Sequence, residues 1–293
     1  MRRRSTVRNV CEYAAARFAL ATLAYSPRPL AYALSRCYTR FFDLLLPRLR
    51  RVAMLNLDLA GMPPECANEV YRSLARMLVS FARFPRIRSQ NISNWIRYEG
   101  FEHFEQALSR GKGVLFATGH LGNWELSAFA HAFMATPMHV VVRPLDNPMI
   151  DKLVERYRAL SGNTILSKRD FVRPMLKALA RNEAVGILVD QNAALDEGVF
   201  VDFFGRKACV SPSFAKLAAR AGATVIPGFA VWNEAEGRYV LKFYPPVEIS
   251  GDAVADTQRI QSALERAIRE YPGEWLWLHR RWKTRPIGEK DIY

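Results

Sequence analysis

The stretch "GVLFATGHLGNWELS", residues 113–127, decides how the chain is read. It opens on a short apolar run, 113–118, with the length of a buried strand. "GHLG" then turns, and Asn123 is a residue type that caps helices. From Trp124 the segment "NWELSAFAHAFMA" reads as a helix. His120 falls in the turn and Glu125 in the first helical turn. Within one helix, residues five apart would sit about 140° from each other. A loop that folds back over the helix start can instead bring the two side chains together.

The same unit repeats along the chain. Strands are expected at 95–100, 138–143, 163–167, 184–190, 224–232 and 238–249, the last two adjacent, with an extended segment at 198–205. Helices are expected at 66–84, 101–110, 147–162, 171–181, 211–223 and 256–270, with Ser211 as a cap and Pro212 in the first turn. Alternating strands and helices with apolar strands define an α/β fold: a mostly parallel, mixed sheet covered by helices. Ligands of such sheets gather at the carboxyl ends of strands. His120, Arg143 and Asp190 each fall at or just past one of those ends.

Half of the 293 residues are apolar, and the net charge is +14. Much of that excess lies in residues 1–53, where eleven arginines face only Glu12 and Asp43. The expected division is a basic amphipathic segment at 1–53 and one α/β domain at 54–293. A basic block of this kind fits an anionic partner. Nucleic acid is one such class, but no recognition helix, RNP motif or zinc finger accompanies the charge. The arginines instead lie among large apolar residues, as in "YTRFFDLLLPRLRRVAML" (38–55). The longest uncharged apolar piece, Phe18 to Pro27, is far shorter than the roughly 20 residues of a membrane span. An interfacial, monotopic segment is therefore expected, on an anionic membrane surface; a single N-terminal anchor and an amphipathic helix packed on the protein's own core are the alternatives. Four scattered cysteines give neither a disulfide frame nor a zinc motif. No metal or nucleotide cofactor is implied.

A carboxylate that holds one imidazole nitrogen leaves the other free as a base and stabilises the imidazolium. The first N–H groups of the following helix could receive a developing oxyanion. That set suits deprotonation of an alcohol and attack on an acyl group, with no enzyme nucleophile. Glu125 as ordinary helix-dipole complementation is the competing account.

The ordered segments "ATGHLGNWE", "VVRPLDNP", "GILVDQN", "GVFVDFFGRKA", "AKLAARAGATVIPGF" and "EWLWLHRRWKTRP" resemble the bacterial lipid A late acyltransferases, the lauroyl and myristoyl transferases of lipopolysaccharide assembly. These resemble in turn the wider HxxxxD/E glycerol-phosphate and lysophospholipid acyltransferases. The resemblance implies a glycerol-phosphate acyltransferase-like fold and transfer of a fatty acyl chain to a glycolipid hydroxyl. The donor would be an acyl carrier protein thioester or acyl-CoA, and no acyl-enzyme would form. His120 would be the base and Glu125 its orienting partner. Arg143, Asp190 and Gln191 would meet substrate, with Gly122 and Asn123 shaping the turn. Phe203 and Phe204 would line an acyl pocket. The aromatic–basic stretch with Trp275, Trp277 and Trp282 would face the membrane or a headgroup, or form a packed tail. The partners implied are an acidic carrier protein and the glycolipid of the bacterial inner membrane's cytoplasmic face; other glycolipids or lysophospholipids, or an inactive binding relative, are the alternatives.

Overall fold

The computed structural model describes residues 5–167 and 171–293; Arg2, Arg3 and Arg4 of the basic block lie outside the described residues. Three helices lead the chain: α1 (Thr6–Tyr25), α2 (Arg28–Leu45) and α3 (Pro47–Leu59). They break where prolines fall. Pro29 sits in the first turn of α2 and Pro47 opens α3, places where a missing N–H costs nothing. The expected boundary after residue 53 falls inside α3. The leading helices pack on α4 (Cys66–Ala82), with Leu23 and Ala31 buried against Val79 and Ala82. Ser35 Oγ donates to the carbonyl of Ala75 at 2.9 Å, and the Arg28 guanidinium lies 4.1 Å from the centre of the Trp95 ring.

Beyond α4 come β1 (Ile96–Glu99), α5 (Phe101–Ser109), β2 (Val114–Thr118), α6 (Trp124–Met134), β3 (His139–Val142), α7 (Pro148–Ala159), β4 (Thr164–Ser167), α8 (Val172–Ala180) and β5 (Ala184–Leu188). Then follow β6 (Val199–Phe203), β7 (Arg206–Val210), α9 (Ser213–Ala221), β8 (Thr224–Asn233), β9 (Arg238–Phe243) and α10 (Ala253–Glu270). Seven strands form one sheet in the order β1-β9-β8-β2-β5-β3-β4, parallel except where β9 meets β8. The expected α/β class and the pairing of the two late strands both hold.

Differences from the sequence reading have local causes. The extended segment at 198–205 is half of a hairpin: the chain reverses at Phe204 and Gly205, both with positive φ, and β7 pairs back on β6. The strand expected to run to 249 stops at Phe243, because Pro245 and Pro246 carry no N–H for the ladder. The last helix begins at Ala253 rather than Asp256. Asp252 caps it, accepting from the N–H groups of Val254 and Ala255, whereas Asp256 is buried and ties down Ser250 and Gly251. Pro212, not Ser211, precedes the first residue of α9.

Of the two readings of the aromatic–basic tail, the packed one holds. Trp275, Trp277 and Trp282 are fully buried, in one core with Leu57, Phe203, Phe204 and Leu264. Their rings hold the irregular C-terminal segment against α10 and the hairpin, so they face neither solvent nor a membrane.

Candidate active site

The register of the central strands builds the site. Thr118 of β2 stands opposite Leu188 of β5, and the Val189 N–H donates to the Thr118 carbonyl at 2.8 Å. Two residues further along each strand come His120 and Asp190. The His120 Nδ1–H donates to Asp190 Oδ1 at 2.9 Å, and the His120 backbone N–H donates to Oδ2 at 2.7 Å. Trp275 Nε1 donates to the same Oδ2 at 2.9 Å. Asp190 is fully buried, and its oxygens are filled by these donors.

Glu125 does not hold His120. Its carboxylate accepts from Arg158 of α7, Nε at 2.8 Å and the terminal Nη2 as well. The group on His120 Nδ1 is Asp190, which the sequence reading had placed in the substrate site. Glu125 is still close enough to act on His120 through space, as is Arg158 with the opposite sign.

The electrostatics follow. Burial by itself would lower the His120 pKa, but the Asp190 carboxylate outweighs it and the net shift is upward. Burial would raise Asp190, yet the imidazole and the N–H donors hold it well below the usual carboxylate range. His279 packs behind the pair, its ring 6.5 Å from that of His120, and burial pushes its pKa down. The His120 side chain keeps 18% exposure, which leaves Nε2 reachable from outside. Trp124 stands edge-on to the imidazole at 4.9 Å.

The turn that carries His120 is rigid. Gly122 has φ +65°, and a Cβ there would fall 2.0 Å from the carbonyl oxygen of Ala230, so only glycine fits. Asn123 is fully buried and caps α6 by accepting from the Leu126 N–H at 3.0 Å. Its amide donates to Ser80 Oγ at 2.7 Å, anchoring the turn to α4. Both residues therefore shape the site from behind. Arg143 and Gln191 are exposed at the same edge of the sheet as His120, past the ends of β3 and β5.

An apolar cavity opens beside this constellation. It runs between α6 and the sheet, from Trp124, Glu125 and Arg158 at one end to Phe116, Met138 and Phe243 further in. Gly186 and Gly228 form part of its floor. A Cβ at Gly186 would sit 2.7 Å from Met138 Cε, and one at Gly228 would sit 2.9 Å from the Phe243 ring. His131 also lines it, kept neutral because burial pushes its pKa down to about 4. Phe203 and Phe204 are elsewhere, packed on Trp275 and Trp277 in the core, and do not line this space. Sequence reasoning missed Arg158, which carries no motif of its own: only the packing of α7 beside α6 brings it to Glu125.

Known proteins match this chain along most of its length. The family described as bacterial lipid A biosynthesis acyltransferase matches residues 2–284. The lipid A biosynthesis lauroyltransferase of Escherichia coli is 32% identical over 209 residues, 70% of this chain and 67% of that protein. The lipid A biosynthesis acyltransferase of Haemophilus influenzae is 24% identical, over 77% of this chain and 71% of its own. A phosphatidylinositol mannoside acyltransferase of Mycolicibacterium smegmatis is 26% identical, over 76% and 74%. Like the relatives it matches, the chain is an acyltransferase. It belongs to the bacterial lipid A biosynthesis acyltransferase family.

Proposed function

We propose that this acyltransferase moves a fatty acyl chain from an acyl carrier protein thioester to a hydroxyl of a lipid A precursor, with His120 as general base and Asp190 as its orienting partner. The hydrogen bond from His120 Nδ1 to Asp190 carries the reading, because it fixes the tautomer that leaves the Nε2 lone pair free. The acceptor hydroxyl gives its proton to Nε2 as its oxygen attacks the thioester carbonyl. The tetrahedral intermediate collapses, the C–S bond breaks, and the thiolate takes the proton from the imidazolium. Asp190 stabilises that imidazolium throughout. No acyl-enzyme forms.

The cavity under α6 takes the acyl chain, and its apolar lining supplies the binding energy. Arg158, clamped by Glu125 at the mouth, adds a positive charge where the thioester oxyanion develops. Arg143 and Gln191, exposed at the sheet edge, meet the polar acceptor. No helix among the described residues is long and apolar enough to cross a membrane. Attachment is instead interfacial, through the corner of α2 and α3. There Phe41, Leu44 and Leu45 are 60–70% exposed, and Arg40, Arg48 and Arg51 flank them. The same basic surface suits an acidic carrier protein.

The test is purified protein with acyl carrier protein thioester and a lipid A precursor, read by mass spectrometry. Wild type is expected to add one acyl chain, and folded His120→Ala to add none. Acylation of a phosphatidylinositol mannoside but not of the lipid A precursor would keep the chemistry and replace the acceptor. Full activity in His120→Ala would sink the mechanism.

A further inference from the structure

Arg281 is fully buried, yet no carboxylate among the described residues pairs with it. Its guanidinium donates to the Cys209 carbonyl at 3.3 Å and to Gln261 Oε1 at 3.0 Å; its Nε has no partner among the described residues, and its face lies 4.7 Å from the centre of the Phe203 ring. All these neighbours are neutral. A buried cation held only by neutral groups is costly unless an opposite charge lies within reach. Gln261 points to that charge: its side-chain amide donates to the carbonyl of Val189 at 2.8 Å, one residue before Asp190. One buried glutamine thus links Arg281 to the backbone next to Asp190, and the two charges feel each other through the core.

We infer that Arg281 is the buried counter-charge of Asp190 and a positioning residue that keeps His120 in its neutral, proton-accepting form. The inference rests on the role proposed for the His120–Asp190 pair. A dry carboxylate bonded to an imidazole favours the imidazolium, and a base that already carries its proton cannot take another. A second cation behind the carboxylate shares its negative charge and weakens its hold on that proton. The surrounding groups leave Arg281 this role. Tyr293 and Cys209, which Arg281 also feels, are pushed upward by burial and stay neutral, and His279, which feels Arg281 in turn, is kept neutral by burial; Asp190 is the ionised one. On the other side of the pair, His120 also feels Glu125 and Arg158, of opposite charge and bonded to each other, and His279, kept neutral by burial.

The experiment uses the full chain in detergent micelles with isotope-labelled histidine. The His120 resonance is assigned by its loss in His120→Asn, and its titration is followed in wild type, Arg281→Met and Arg281→Lys. Arg281→Met is expected to raise the His120 midpoint by roughly one pH unit, the scale of one unit charge acting through protein over about 10 Å. The acid limb of the pH–rate profile should move up with it, so activity lost near neutrality returns at higher pH. Arg281→Lys, which keeps the charge and loses the fork, should leave the midpoint near that of wild type. Should Arg281→Met fail to fold, Arg281→Gln, which retains a donor for Cys209, carries the same measurement. A folded neutral variant with an unmoved or lowered midpoint overturns the inference and leaves Arg281 as packing alone. Because the titration needs no turnover, failure of the acyl-transfer reading would be seen separately, in the rate.

Discussion

At the scale of single residues, the division of labour between two carboxylates is the sharpest expectation. Three N–H donors converge on Asp190. Asparagine there would turn an NH₂ against a donor and lose the charge that steadies the imidazolium. Asp190→Asn is therefore expected to lower kcat by roughly 10³- to 10⁴-fold, read in a steady-state assay, with the fold checked by circular dichroism. Glu125 behaves differently because its partner is Arg158. Glu125→Ala and Arg158→Ala should be strongly non-additive, with a coupling of about 1–3 kcal/mol in a double-mutant cycle on kcat/KM. Additive losses would mean the pair does not act as a unit. The pH dependence has a definite sign. With the His120 pKa raised, activity should climb through a midpoint above the ordinary 6.5. The protonated His120–Asp190 pair also stabilises the fold; that contribution is full below about 6.5 and is lost as pH rises through the folded value, which thermal melts across this range can follow. His120 was legible in the sequence because a polar residue after an apolar run and a glycine stands out. Its partner was not. Glu125 is five residues away and Asp190 seventy, and only the pairing of β2 with β5 makes the distant one the neighbour.

At the scale of elements, the cavity between α6 and the sheet depends on glycines where strands would ordinarily carry side chains. Gly186→Val would push into Met138 and shorten the space. The expected outcome is a shift of the transferred chain toward shorter lengths, read by mass spectrometry of products from a mixed pool of thioesters. An unchanged distribution would place the chain elsewhere. Helices and strands were readable from periodicity because their apolar positions repeat. The space between them was not, since it is defined by missing side chains on two strands at once. Phe203 and Phe204 illustrate this: the resemblance suggested a lipid pocket there, but a reversal at Gly205 turns them into the core against the tail tryptophans, where adjacent phenylalanines more often sit.

At the scale of the molecule, the chain presents an exposed apolar corner between α2 and α3, ringed by arginines. Replacing Leu44 and Leu45 by glutamate should reduce partitioning onto anionic vesicles by at least about tenfold, each change removing apolar burial and adding repulsion. Vesicle flotation reads this, and thermal stability should be unaltered because both side chains are exposed. The overall class was visible in the alternation of strands and helices; the reversal of β9 and the hairpin of β6 with β7 were not, because direction is set by turns and prolines rather than by periodicity. The burial of Trp275, His279 and Arg281 around Asp190 has a temporal meaning. These residues follow His120 far along the chain, so His120 is synthesised well before them. A growing polypeptide can form the sheet and even bring its histidine to the right strand, yet the carboxylate beside it remains unsheathed until residues 275–281 fold down. The sheath around Asp190 is thus assembled only after residues 275–281 have been made.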